Sequence, residues 1–213
     1  MDPRKSSSLT NVQEYAPLRL EPSDAGRVLT VLADAFADAP LTQRVVGGSR
    51  SRRVRSTRLG LGAQLPAAFA RATVLGEGGG ATLQGVLVGA PPCAHPFPPP
   101  PLAVRLWTAA RQGFAVAGRW AELFERLQTR RPADPHWYLA LLGVAPAAQR
   151  RGIGSRLLRA WLAEVDAARG SVWVETDEPR SLGLYRAAGF ESAGELAFDA
   201  VPIWLLSRAP RRG

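Results

Sequence analysis

A continuous apolar run, HWYLALLGV (His136–Val144), is followed by a basic glycine-bearing loop, a helix-patterned segment and a second apolar run, SVWVET (Ser171–Thr176). Apolar runs without polar alternation mark strands buried on both faces. Between them Leu157, Leu158, Trp161, Leu162 and Val165 recur at helical spacing, and Gly170 predicts the helix stop. Strand, helix and strand in this order predict a βαβ unit, because parallel neighbours need a crossover. A chain built around that unit must form a sheet with a helix packed on it.

The connecting loop, VAPAAQRRGIGSRLL (Val144–Leu158), enters the helix at its N-terminus. The first N–H groups of a helix have no internal partners, and the dipole places partial positive charge there. Glycines at 152 and 154 let a phosphate approach the backbone, and Arg150 and Arg151 add charge beside it. A Walker loop is excluded, since no Lys-Ser or Lys-Thr follows the second glycine. A dinucleotide fingerprint lacks its third small residue, where Leu157 stands, although Glu175 lies at the ribose-binding spacing.

The remaining chain reads as a single domain over 17–209, with residues 1–16 a disordered tail and 210–213 a short one. Leu18–Leu20 predicts a strand. Ser23 is the expected cap of a first helix, which Pro40 would end. The basic stretch Ser49–Gly60 reads as a solvated helix face. Ala72–Glu77 and Ala81–Val88 predict a hairpin turning at glycines 78–80. The segment PPCAHPFPPPP (Pro91–Pro101) predicts a stiff surface connector. It leads into one or two helices over Leu102–Arg130, whose Leu106, Trp107, Phe114, Trp120, Leu123, Phe124 and Leu127 read as core, or as pocket lining. Pro179–Ala188 predicts a helix, and Phe190–Phe198 with Val201–Ser207 a closing hairpin.

One cysteine, Cys93, excludes an internal disulfide and a cysteine-built zinc site, and two histidines argue against any metal site. No apolar run reaches the length of a membrane span and no signal segment opens the chain, so a cytoplasmic setting is expected. The net charge of +9 rests on arginine, with Lys5 the one lysine; it suggests an anionic partner, either a phosphate-bearing cofactor or nucleic acid. Nucleic-acid readers usually add exposed aromatics or a docking motif, and the basic stretch has neither.

Gln149-Arg150-Arg151-Gly152-Ile153-Gly154 resembles the Q/R-x-x-G-x-G/A signature of the GNAT superfamily of acetyl-CoA-dependent N-acetyltransferases. HWYLALLGV stands where that family has its central cofactor strand. ETDEPRSLGLYRAAGF (Glu175–Phe190) is similar to its later motif, ending in Tyr185, Gly189 and Phe190. Within the superfamily the chain most resembles the puromycin N-acetyltransferase group over about Pro17–Arg208, including AFADAP (Ala35–Pro40) and VPIWLLSR.

This resemblance implies an α/β (α+β) GNAT acyltransferase fold: a mixed, twisted sheet of about seven strands with flanking helices and splayed central strands, its cofactor half at about 136–190. It implies acetyl-CoA as acetyl donor, held by Leu142, Gly143, Val144, Gln149, Arg150, Arg151, Gly152, Ile153, Gly154, Ser155, Ser181 and Tyr185. Ser181 replaces the family's usual Asn and offers no amide. The pantetheine arm would lie along Leu142–Val144 as an added strand, where Gly143 marks either a bulge or tight packing. Tyr185 would protonate the departing thiolate, and a backbone N–H near Val144 would meet the developing oxyanion.

His136 and Glu175, at the strand ends, are both candidate general bases; an α-amine of pKa about 8 is already partly neutral at pH 7 and can react without a dedicated base. The acceptor reads as the primary amine of a small molecule, such as an antibiotic-like aromatic α-amine. The alternatives are a protein N-terminus or lysine, and a non-catalytic nucleic-acid-binding or regulatory module. Oligomeric state is left open.

Overall fold

The computed structural model describes residues 17–79 and 82–211. The expected N-terminal tail, Gly80 of the expected hairpin turn, Ala81 at the start of its expected second strand and the last two residues lie outside them. In chain order the elements are β1 (Leu18–Arg19), α1 (Ala25–Phe36), α2 (Pro40–Val46), α3 (Arg50–Arg71), β2 (Thr73–Gly79) and β3 (Thr82–Ala90). Then come α4 (Leu102–Gln112), α5 (Phe114–Gln128), β4 (Trp137–Val144), α6 (Ile153–Ala167), β5 (Val172–Thr176), α7 (Leu182–Ala187), β6 (Glu191–Phe198) and β7 (Val201–Arg208).

The strands form a seven-stranded sheet in the order β1-β2-β3-β4-β5-β7-β6, in which β4 and β5 are parallel and the other neighbours antiparallel. This is the mixed sheet expected. On one face α6 buries Leu157, Leu158 and Trp161 against Leu87, Leu139 and Val172. The other face is covered in two places. Val28 and Leu32 of α1 pack with Leu65 of α3 on Val74, Val86 and Val88, while Leu41 and Val45 of α2 join Leu123 of α5 on Tyr138, Trp173 and Leu205.

Several local expectations are corrected. The first helix starts after a 3-10 turn, Pro22–Asp24, whose Asp24 carboxylate accepts the Glu21 N–H at 3.1 Å; Ser23 is not the cap. Pro40 opens α2 rather than merely ending α1, since a first-turn proline sacrifices no hydrogen bond. Gly170 does not turn the chain after α6. Arg169 takes the left-handed conformation, and Gly170 is required because a Cβ there would lie 2.3 Å from the Trp137 ring.

The basic stretch is the N-terminal part of α3, capped by the Ser49 hydroxyl. Much of its charge clamps the end of α1. Arg53 donates to the Ala37 carbonyl and pairs with Asp38, and Arg50 bridges Asp34 and Asp38. Guanidinium groups at a helix C-terminus satisfy orphan carbonyls and complement the dipole.

The helices after the Pro-rich connector are corrected most. Gly113, at φ +98°, divides α4 from α5. Val116, Leu123 and Leu127 are buried, but Leu106, Trp107, Phe114 and Phe124 are not core: Trp107 and Phe124 are each 54% exposed and Phe114 67%. In α4, Thr108 alone is buried, so that helix leans on its neighbours without inserting an apolar stripe.

Candidate active site

The ladder between β4 and β5 contains Trp137↔Val172 and Tyr138↔Trp173 and then stops, although β4 runs on to Val144 and β5 to Thr176. The parallel strands splay apart beyond Tyr138. On its other edge β4 stays paired to β3 as far as Val144. The edge facing the gap therefore presents unpaired backbone groups, which an extended ligand can meet as an added strand. The register irregularity lies between Leu139 and Leu141. Gly143 is not the bulge: it pairs regularly with Val86, and a Cβ there would sit 2.9 Å from Leu32 and 3.1 Å from Ala35.

A cavity of about 590 Å³ opens in this gap. Leu139–Val144 form one wall, Val174–Glu178 the other, and Ala35, Phe36, Asp38 and Ala39 close one side. The loop residues Gln149, Arg150, Gly152, Ile153, Gly154 and Ser155 line it, as do Ser181 and Tyr185. Arg151 and His136 do not. Nor do the aromatic residues of α4 and α5, so the expected aromatic lining from that segment is absent among the described residues.

The loop is shaped for an anion. Gly152, left-handed at φ +77°, immediately precedes α6, and the first bond of that turn runs from Arg156 N to Gly152 O. The N–H groups of Ile153, Gly154 and Ser155 thus have no partner within the helix. A Cβ on Gly154 would make only ordinary contacts, 3.7 Å from Val144 and 3.8 Å from Leu184. The fold leaves room there, so the absence of a side chain serves approach to the backbone. Arg150 and Arg151 make no ion pair among the described residues, whereas Arg156 is paired with Glu77. The Gln149 side chain donates to the Val144 carbonyl at 3.2 Å and fastens the loop to the strand end. The unpartnered N–H groups and uncommitted guanidinium groups fit the diphosphate of acetyl-CoA.

Tyr185, on α7, is 5% exposed, packs edge-on against Phe190 and has no hydrogen-bonding partner for its hydroxyl among the described residues. Burial, helped by the Asp177 carboxylate, pushes its phenol above the ordinary tyrosine range. It therefore stays protonated and neutral. Asp177 accepts the Leu41 N–H at 2.7 Å, and burial raises its carboxyl above the usual range.

Glu175 also reaches the cavity wall, but its carboxylate is fully engaged. Arg131 Nε donates to Oε1 at 2.8 Å and Nη2 to Oε2 at 3.2 Å; Trp173 Nε1 donates at 2.8 Å, and the Tyr138 hydroxyl donates as well. Both oxygens of the carboxylate are thus already taken up by donors of the protein itself, and neither is left to the acceptor amine as a general base requires. His136 lies just before β4 with Nδ1 on the Asp134 carbonyl at 2.8 Å. The strand-end candidates are thus brought to no common point.

Sequence reading missed the cluster around Glu175. His95 of the Pro-rich connector stacks on Tyr138 at 3.9 Å and meets Arg131 at 2.8 Å; burial and the Arg131 charge hold its pKa down at about 3. Arg131 and Glu175 are 44 residues apart, and no local pattern joins them. Asp177 and Asp38 were missed too, being ordinary acidic residues in connecting segments.

Comparison with known proteins agrees with this geometry. Residues 94–190 match the model of the Acetyltransferase (GNAT) family. The chain is 52% identical over 56 residues to the N-alpha-acetyltransferase RimI of Mycobacterium tuberculosis, a stretch covering 25% of this chain and 34% of that protein. It is 46% identical over 57 residues to the mycothiol acetyltransferase of Clavibacter sepedonicus, covering 27% of this chain and 19% of that one. The matched stretches thus span about a third and a fifth of those relatives. Among solved structures, a Corynebacterium glutamicum protein described as histone acetyltransferase HPA2 and related acetyltransferase superposes with a TM-score of 0.67 at 19% identity, over 93% of this chain and 98% of that one. The chain therefore has the GNAT acyltransferase fold, and the stretch 94–190 within it matches the Acetyltransferase (GNAT) family model.

Proposed function

We propose that this protein is an N-acetyltransferase that moves an acetyl group from acetyl-CoA directly to the primary amine of an acceptor, with residues 17–209 acting as one domain. The observation that carries this is the splayed β4–β5 gap, whose cavity is lined by both the glycine turn that begins α6 and Tyr185. The N–H groups of Ile153–Ser155, with Arg150 and Arg151, hold the diphosphate. The open edge of Leu142–Val144 orients the pantetheine arm, a backbone N–H of that edge meets the oxyanion, and Tyr185 gives its proton to the leaving thiolate. Ser181 reaches the cofactor with its hydroxyl.

We place the acceptor among small molecules carrying an α-amine. The stretch Ala35–Pro40, part of the likeness to the puromycin N-acetyltransferase group, supplies Ala35, Phe36, Asp38 and Ala39 to the cavity wall. A second reading, a protein N-terminus, is favoured by the stretch shared with RimI. A CoA-release assay separates them, comparing phenylalaninamide, a polyamine, and hexapeptides with either a free N-terminal alanine or a lysine. The small-molecule reading expects phenylalaninamide to have the highest kcat/KM. A tenfold advantage for the alanine peptide would transfer the assignment to protein N-termini, and no CoA release with any amine would refute the transferase.

A further inference from the structure

We propose that Asp177 is the catalytic carboxylate that receives the acceptor amine: it pairs with the ammonium group and takes its proton. This deepens the acetyltransferase reading and rests on it.

The argument starts from charge pairing. The cavity wall contains Asp38, Glu175, Asp177 and Glu178. Asp38 is bound by Arg50 and Arg53, Glu175 by Arg131, and Glu178 lies within 4.0 Å of Arg180. Asp177 has no cationic partner among the described residues, although Arg150 and Arg180 line the same cavity. In a chain with 27 basic residues against 18 acidic ones, a half-buried carboxylate left without a cation is conspicuous. Burial makes an uncompensated charge costly. A cationic ligand removes that cost, and a primary ammonium group is the cation the proposed reaction brings.

The position suits the chemistry. Asp177 directly follows β5, one residue beyond the open end of the splay, and Tyr185 faces the same cavity from α7. Its Oδ2 is fixed by the Leu41 N–H at 2.7 Å, and the carboxylate also accepts from its own backbone N–H; no described side chain bonds it. The other charged or titratable groups here are Glu178 in the same segment, Glu175 on β5, Asp38 between α1 and α2, Arg150 of the glycine loop and Arg180. Burial and Glu178 both raise the Asp177 carboxyl, bringing it nearer the pKa of the amine it deprotonates.

The step balances. Asp177 takes one proton from the ammonium group, and the freed lone pair forms the N–C bond to the acetyl carbon as the C–S bond breaks. Tyr185 donates its proton to sulfur and recovers the second amine proton through water. The proton on Asp177 then leaves to solvent.

Asp177→Asn tests this, because the amide oxygen still accepts from Leu41 while the charge is lost. With phenylalaninamide and the alanine hexapeptide as probes, kcat/KM should fall about 10²-fold at pH 6, within the range of general-base effects. At pH 9, where an α-amine of pKa about 8 is already neutral, the variant should approach wild type within about fivefold. Its Tm at pH 7 should equal or exceed that of wild type, because an uncompensated buried charge has gone. Asp177→Glu should recover at least tenfold at pH 6. Equal activity of wild type and Asp177→Asn at pH 6, or the same loss at both pH values, would overturn the role. If wild type releases no CoA with any probe and acetyl-CoA fails to raise its Tm, the acetyltransferase reading itself has failed, and this role with it.

Discussion

Helices α4 and α6 carry similar sequence patterns, apolar residues recurring every three or four positions, and meet opposite fates. In α6, the crossover between β4 and β5, Leu157, Leu158, Trp161 and Val165 are at most 1% exposed and pack against the sheet. In α4 Leu102, Leu106 and Trp107 are each more than half exposed. The difference is topological. A helix that joins two parallel strands is forced back onto their sheet, whereas α4 is reached through the Pro-rich connector and packs chiefly on α3 and α5. Periodicity reports that a helix has an apolar side; the connection decides whether anything covers it.

The largest effect that would break this contrast is on stability. Trp161→Ala should cost about 3–5 kcal/mol, as large core truncations do; urea unfolding measures it, and a cost below 1 kcal/mol would mean that α6 is not the keystone of its layer. Next in size is Tyr185→Phe. Deleting the phenol proton should lower kcat about 10²-fold, or about 2.7 kcal/mol, where chemistry is rate-limiting. Stabilisation by acetyl-CoA should be unchanged, and an unchanged kcat would make Tyr185 a packing residue. A third prediction concerns the glycine turn that begins α6. Gly154→Val should abolish the rise in Tm given by acetyl-CoA, a rise of about 2.7 kcal/mol at a hundredfold excess over Kd. The fold leaves space at Gly154, so the unliganded variant should stay folded; equal ligand stabilisation of both proteins would place the diphosphate elsewhere.

How much was legible in the sequence follows the same division. The βαβ unit, its basic glycine loop and the closing hairpin were readable because each signal is local: an apolar run, glycines before a helix, a helix stop at Gly189. The splay of β4 from β5 came from the family resemblance, since no residue in either strand announces it. Glu175 was singled out and then found committed to Arg131, a partner supplied by the segment before β4. Asp177 was passed over for the converse reason. Its distinction is the lack of a cationic partner among the described residues, and a missing partner is a tertiary fact that spacing cannot express. The arginines of α3 read as a solvated face, yet Arg53 is turned onto the end of α1. Charge patterning identifies a cation without identifying the carbonyl or carboxylate it will meet.

The smallest predicted effect gives the finest test of α4. Trp107 is 54% exposed, and Arg111 sits over its ring at 5.4 Å. An exposed cation–π pair of this kind contributes about 0.5–1 kcal/mol, and a surface substitution otherwise changes stability within about 0.5 kcal/mol. Trp107→Ala should therefore destabilise the protein by no more than about 1 kcal/mol in urea unfolding. Its kcat/KM for phenylalaninamide should stay within twofold of wild type, because Trp107 does not line the cavity. A tenfold fall in kcat/KM at unchanged stability would mean that α4 closes over the acceptor during turnover. The aromatic residues after the Pro-rich connector would then belong to the acceptor site, as their sequence first suggested, and the contrast between α4 and α6 would be between a helix fixed by its connection and one fixed by its substrate.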